Sequence, residues 1–365
     1  MHELDLTREI DRQLSVCNAC RYCEGYCAVF PAAELLTSFN DGAVTYLANL
    51  CHDCRNCYDA CMFAPPHEFA VNIPKVLAEA RVRTHERYGW PNVLARLLRS
   101  GWIAPVAIGV LVFGAIAALG GPANLVTRHV GPGAFYAVVP YLALVVPALV
   151  VSLWGLFVIL AGAREFARDV ALPRGPSLNW AAFAKATAGA LSLQYLKGGG
   201  AGCYYPRRRG SSARRRLHGC VFWGFLAAFV STTLAAIEQN VLHILPPYEI
   251  GSAPVLFGIA GGALMVVGCT GLLVLKPQSD PVPTSDSMKA MDYAFLVILE
   301  LVAITGMLTL VLRGTSLMGL VFSTHLAALA CLYVTAPYGN FVHFVYRYLA
   351  LIKNAAENPA ELVED

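Results

Sequence analysis

Charge is scarce in this sequence. Asp, Glu, Lys and Arg make up 14% of its 365 residues against an apolar share of 57%, where soluble domains carry about a quarter charged and just under half apolar. The scarcity is local: residues 1–100 are charged and mixed, whereas Trp102–Leu119, Ala134–Ala163 and Pro254–Leu275 contain no Asp, Glu, Lys or Arg. Other absences bear on function. No Gly-x-Gly-x-x-Gly follows a strand-like run, so the chain itself is expected to bind neither flavin nor nicotinamide. "GGGAG" (Gly198–Gly202) lacks the Lys-Ser/Thr that a phosphate loop requires and reads as a flexible turn before Cys203. The opening "MHELDLTREIDRQL" has no apolar core, so no cleavable signal peptide is expected.

What is present is grease in long runs. Crossing about 30 Å of hydrocarbon takes about 20 apolar residues in a helix. Six runs qualify: the three just named, Gly219–Leu245 with only Glu238, Tyr293–Leu312 with only Glu300, and Leu317–Tyr346 with two histidines but no formal charge. Soluble cores rarely supply six such lengths, and the pattern predicts a six-span membrane domain over residues 102–350. Orientation follows from Lys and Arg. The link Arg164–Arg216 holds eleven basic residues, and Lys75, Arg81, Arg83, Arg87, Arg96 and Arg99 precede the first span, whereas the opposite side carries Arg128 and Arg313. Both termini, including the tail 351–365, are therefore expected in the cytoplasm. "RRRGSSARRR" suits anionic lipid and also an acidic protein partner. "NIPKVLAEARVRTHERYGWPNVLARLLRSG", within residues 72–101, reads as amphipathic helices lying on the membrane surface.

Cytoplasmic thiols stay reduced, which disfavours a disulfide framework. The spacing Cys17-x2-Cys20-x2-Cys23-x3-Cys27 returns as Cys51-x2-Cys54-x2-Cys57-x3-Cys61. Structural zinc usually takes two separated Cys-x2-Cys pairs, whereas three ligands at intervals of three with a fourth from elsewhere suit a [4Fe–4S] cubane. In two-cluster ferredoxins the fourth cysteine of each run crosses to the other cluster. That rule assigns Cys17, Cys20, Cys23 and Cys61 to one cluster and Cys51, Cys54, Cys57 and Cys27 to the second, within a head spanning residues 1–71. Both runs place proline four residues on (Pro31 and Pro65) instead of directly after the last cysteine. His52 and His67 read as residues beside the cluster loops, each site already having four cysteines.

A pair of clusters conducts electrons onward, and ligating residues inside membrane spans are functional candidates. His218 and His343 match in depth at the cytoplasmic edge on two helices, the arrangement that two axial ligands of a haem b require; a pair of inert interfacial histidines is the alternative. His325 lies about 12 Å deep from the outer side at 1.5 Å per residue. A second haem there would need a partner, and His243, His129 or the nearby Gln239 are the candidates. Glu300 is either part of a proton path or a tolerated neutral acid. Cys203 is a redox thiol, a haem-edge residue or neither, and Cys220, Cys269 and Cys331 read as small packing residues.

The cysteine head, the loop "YLKGGGAGCYYPRRRGSSARRRLHGCVFWGF" and the ending "HLAALACLYVTAPYGNFVHFVYRYLAL" together resemble the tricarballylate-utilisation B-type membrane proteins, over essentially the whole chain. The resemblance implies a subunit of a bacterial cytoplasmic membrane that reoxidises the flavin of a soluble FAD-dependent tricarballylate dehydrogenase and passes electrons through iron–sulfur centres and haem to quinone. It also implies the eight cysteines as cluster ligands and His218, His325 and His343 as haem ligands. The family tends to carry a histidine near Gln239 and a lysine where Asn340 stands. The expected fold is mainly α: a two-cluster ferredoxin-like helical head followed by a six-helix transmembrane cytochrome b-type bundle. A membrane subunit of a heterodisulfide or thiol reductase is a second reading, although no cysteine-rich motif follows Cys61. A redox role in cobalamin biosynthesis, known for a fused relative of the family, is another.

Overall fold

The structure is a computed structural model that describes residues 3–99, 102–173, 178–204 and 209–358. Parts of the basic loop (Arg174, Arg207 and Arg208) and of the tail (359–365) lie outside the described residues. Among those described the chain is helical, and its nearest approach to a sheet is a single bridge between Cys203 and Ser211.

The head begins with α1 (Glu3–Cys20), whose apolar residues Leu6, Ile10 and Leu14 recur every four positions and are buried. After α2 (Val29–Glu34), Asn40 caps α3 (Asp41–Leu50) by accepting the Ala43 amide at 3.0 Å. The short α4 (Asn56–Asp59) follows, and then α5 (Ile73–Tyr88), with Pro74 in its first turn. The sequence places α5 at the membrane surface, but it lies inside the head, with Val76, Leu77, Arg81 and His85 all buried. Interleaved arginine looks like a lipid-facing helix in a linear reading. Here Arg81 instead donates to the carbonyls of Ala48 (2.9 Å) and Cys51, the unsatisfied acceptors at the end of α3. Only α6 (Asn92–Arg99), with Val93 and Leu97 exposed, keeps a surface character.

Six helices are long and apolar enough to cross a membrane: α7 (Ile103–Gly120), α8 (Tyr141–Asp169), α10 (Ala213–Asn240), α11 (Ala253–Leu275), α12 (Asp286–Leu312) and α13 (Met318–Thr335). The chain is a multi-pass membrane protein. Helix α9 (Trp180–Ser192) lies in the long link between α8 and α10. Exposed Leu111, Leu153 and Val311 present apolar surface outward, as lipid requires. Helices α10 and α11 meet along a seam of small residues: a Cβ on Gly224 would stand 2.9 Å from the Gly261 carbonyl, and one on Gly268 2.8 Å from that of Leu217.

Some spans differ from the sequence reading. Ala134–Ala137 forms a 3-10 turn, and Pro140 then caps α8, which runs on to Asp169. Arg214–Arg216 continue α10 out of the membrane as helix, and the helix stops at Asn240 instead of running to Leu245. The sixth span, read as unbroken to Tyr346, ends at Thr335. Pro337 cannot donate into the helix, the chain turns through Asn340–Val342, and α14 (His343–Glu357) starts afresh. Helix α14 enters the core of the head: Tyr346, Ala350, Leu351 and Ile352 are buried with Leu47 and Leu77. Phe166 of α8 stacks on Tyr346 at 5.1 Å between ring centroids, and Gly162 permits the close approach of Tyr88. Head and membrane helices thus share one core.

Candidate functional site

The cysteines lie where helices end and the backbone turns. Cys17 and Cys20 close α1, Cys51 caps α3, and Cys57 sits in α4. Arg21, Asp53 and Arg55 beside them adopt left-handed backbone conformations (φ 56, 52 and 69), costly for non-glycine residues, and these wrap the loops back on themselves. Burial pushes the Cys17 thiol up to about 12, helped by Cys61, Cys23 and Cys20 beside it. Cys23 is raised to about 12 by burial, Cys61 and Cys20. Burial also raises Cys27 strongly, with Cys54 and Cys51 adding to it, and Cys57, with Cys54, Cys27 and Cys51 adding to it. Cys61 thus neighbours Cys17, Cys23 and Cys20 of the first run, and Cys27 neighbours Cys54 and Cys51 of the second, while Cys23 also neighbours Cys27 and Cys57. Cys17, Cys20, Cys23, Cys57 and Cys61 border a cavity of about 490 Å³, its mouth included, walled by Phe30, Val71 and Ile73. Among the described residues no three His, Cys, Asp or Glu groups converge as a site for one ion.

The glycine-rich loop is not a free turn. Asn56 donates to the Gly198 carbonyl at 2.6 Å, and the Tyr204 amide donates to that of Cys54 at 2.9 Å. A Cβ on Gly198 would stand 2.5 Å from Asn56 Nδ2. The loop therefore covers the second cysteine run, with Cys203 buried beside Cys54 and Leu196.

The structure brings His218 and His343 together. Their ring centroids are 6.3 Å apart and their planes 41° from parallel. Two imidazoles bound from opposite sides through nitrogens about 2 Å from one metal ion place their centroids about 6 Å apart. His343 Nδ1 donates to the Asn340 carbonyl, leaving Nε2 as the free lone pair. Burial and the adjacent Arg347 guanidinium push His343 down to about 3, which keeps the imidazole neutral. Both rings line a cavity of about 1010 Å³, its mouth included, which also touches His52, Arg81, Arg214 and Arg347. Arg347 donates to Cys51 O at 2.7 Å, and Arg214 to Asp53 O at 2.5 Å. His52 is buried, with Nδ1 2.9 Å from Leu50 O, and is held neutral by burial and by Arg347 and Arg81. Asn340 donates to Asp292, which also pairs with Lys276.

The sequence reading did not assign the three arginines a role at the site. A signal for two of them was present: Arg214 precedes His218 by four residues on α10 and Arg347 follows His343 by four on α14, so each shares a face with its histidine.

The other candidates lie elsewhere. His325 on α13 lines a second cavity. His243 is exposed beyond the end of α10 with φ 57, so the structure does not bring it to His325. His129 contacts Asn124 O at 3.2 Å in the outer loop, and Tyr136 donates to Gln239. His67 accepts the Phe69 amide at 3.1 Å. Glu300 accepts from Thr270 at 2.6 Å. Cys269 and Cys331 are buried among helices.

Residues 96–363 match the family described as citrate utilization protein B, and residues 10–87 match its Fer4-like domain. A citrate utilization protein B of Escherichia coli is 38% identical over 352 residues, covering 96% of this chain and 92% of the relative. No solved structure matches. Both the membrane helices and the cysteine head fall within these matches, and the chain belongs to the citrate utilization protein B family.

Proposed function

We propose that this protein is a membrane electron-transfer subunit that takes electrons from the reduced flavin of a soluble FAD-dependent dehydrogenase and passes them through two [4Fe–4S] clusters and haem b to a quinone. In this reading Cys17, Cys20, Cys23 and Cys61 hold one cluster, and Cys51, Cys54, Cys57 and Cys27 the other. His218 and His343 hold the haem, and the bundle around them is of the cytochrome b type. The four thiols of the first set line one cavity together with Cys57, which supports a cluster there, and the cost of burying thiolates is offset by cationic iron. The bound groups supply one-electron redox centres. The chain's own residues do the rest. The glycine-rich loop keeps water from the second cysteine run, Asn340 fixes the His343 tautomer, and the arginines offer positive charge to haem propionates.

The observation that carries the proposal is the His218–His343 pair, in a cavity whose wall includes His52, the residue after Cys51. The head and both termini are assigned to the cytoplasmic side of a bacterial inner membrane, where a soluble dehydrogenase can reach them. The relative's name points to citrate and the family resemblance to tricarballylate; both are tricarboxylic acids, and the partner's substrate is assigned to that class. The test is analysis of the purified protein for iron, acid-labile sulfide and pyridine haemochrome, with EPR of the reduced form. About eight cluster irons per chain and a low-spin haem are expected; four irons, zinc, or no haem would refute the assignment.

A further inference from the structure

Where the sixth span breaks, Asn340 is buried and makes two contacts. Its backbone carbonyl accepts from His343 Nδ1, and its side-chain amide donates to Asp292 of α12. A carboxylate oxygen only accepts, so Nδ2 must face it and the amide cannot turn over. Met288, four residues before Asp292 on the same helix face, places its sulfur 3.9 Å from that nitrogen. The other Asp292 oxygen pairs with Lys276, just past the end of α11, and Lys276 Nζ stands 5.7 Å from the centre of the Tyr293 ring. A line of polar contacts therefore runs from Lys276 through Asp292 and Asn340 to His343.

All of these residues line the cavity that His218 and His343 share. Its other charged walls are Arg81, Arg214, Arg347 and Asp53. Asp53 belongs to the head, where its carboxylate lies 3.6 Å from Arg55. Asp292 is the carboxylate on the wall made by the membrane helices, and Lys276 is the cation set against it. Their side chains are 33% and 18% exposed, so solvent screens the two charges only in part.

We infer that Asp292 is a positioning residue for the haem end of the relay: through Asn340 it holds the plane of the His343 ring, and its charge, set against that of Lys276, tunes the reduction potential. The inference rests on the haem reading of the proposed function. A hydrogen bond behind a histidine ligand fixes its orientation and its donor strength, and the ring planes here stand 41° apart. The step concerned is the one-electron reduction of ferric to ferrous iron, with the electron coming from the clusters. A fixed negative charge beside the site opposes the arriving electron and a fixed positive charge favours it. Asp292 thus lowers the potential and Lys276 raises it.

The test is an optical redox titration of the low-spin bands in the purified holoprotein in lipid nanodiscs, with EPR of the oxidised form. Asp292→Asn keeps an acceptor for Asn340 and removes the charge. At the potential where the unsubstituted haem is half reduced, its ratio of reduced to oxidised haem is expected to rise about 10-fold, the scale of one partly screened unit charge. Lys276→Met is expected to lower the same ratio about 10-fold, and the double variant to fall between the two. Asn340→Ala leaves both charges in place and is expected to move the low-spin g values, which report the angle between the imidazole planes. A merely structural contact would not give shifts of opposite sign. Unchanged ratios in variants that keep their haem overturn the inference, as do shifts of the same sign from Asp292→Asn and Lys276→Met. If Asp292→Asn loses its haem bands, Lys276→Met decides by its own sign, a fall supporting the inference and a rise or no change overturning it. Absence of haem from the unsubstituted protein would instead refute the haem reading itself.

Discussion

Arg347, one turn along α14 from His343, donates to the carbonyl oxygen of Cys51 at 2.7 Å. The bond ties the histidine helix to the start of the second cysteine run. Burial and the nearby Arg81 bring the Arg347 guanidinium down to about 9, still charged near neutral pH. Arg347→Met is expected to cost about 2 kcal/mol, the scale of a charge-assisted hydrogen bond, and to alter the EPR signal of one cluster. Thermal unfolding in detergent and EPR of the reduced variant check both effects.

The proposed assignment, in which the last cysteine of each run serves the other cluster, makes a prediction that uncrossed sets do not share. Cys61→Ser is expected to disturb the same EPR signal as Cys17→Ser, and Cys27→Ser the same signal as Cys51→Ser. Each variant should retain about four cluster irons. Pairing of Cys27 with Cys17 in these spectra would show that the runs do not cross.

Replacing His218 or His343 by alanine is expected to abolish the low-spin haem bands while leaving cluster iron unchanged, as read by optical spectra and iron counts. Haem bands that survive both changes would remove this pair as the ligands.

Gly198→Ala places a methyl group against Asn56 at a backbone angle (φ 52) that side chains seldom adopt. The loop over the second cysteine run should lift. Faster bleaching of one cluster in air is expected, with the other unaffected, measured by visible absorbance and EPR over time.

Gly224→Val is expected to force apart the α10–α11 seam and cost about 1–3 kcal/mol. The check is the fraction of protein that stays monodisperse after heating, compared with the unsubstituted chain.

Several parts of this arrangement were legible in the sequence, each for a physical reason. The repeated cysteine spacing can be read directly because each run of four falls within eleven consecutive residues. The six membrane helices declare themselves because lipid tolerates no interruption by charge. The matched depth of His218 and His343 followed from counting residues, although the break after Thr335 did not. "APYGNFV" stays apolar, so hydropathy runs on where the backbone turns. The role of α5 was hidden because a buried arginine and a lipid-facing one look alike until its acceptors, here at Ala48 and Cys51, are located. The packing of Gly198 on Asn56 joins positions 142 residues apart, beyond any local pattern.

The return of α14 into the head has a consequence for how the molecule is made. The ribosome releases the first residues of the head long before it reaches Tyr346 and Leu351, yet those late residues complete the apolar interior around Leu47 and Leu77. Maturation of the head must therefore wait until all six spans are threaded. A product truncated before α14 would be left with an open, proteolysis-prone front end.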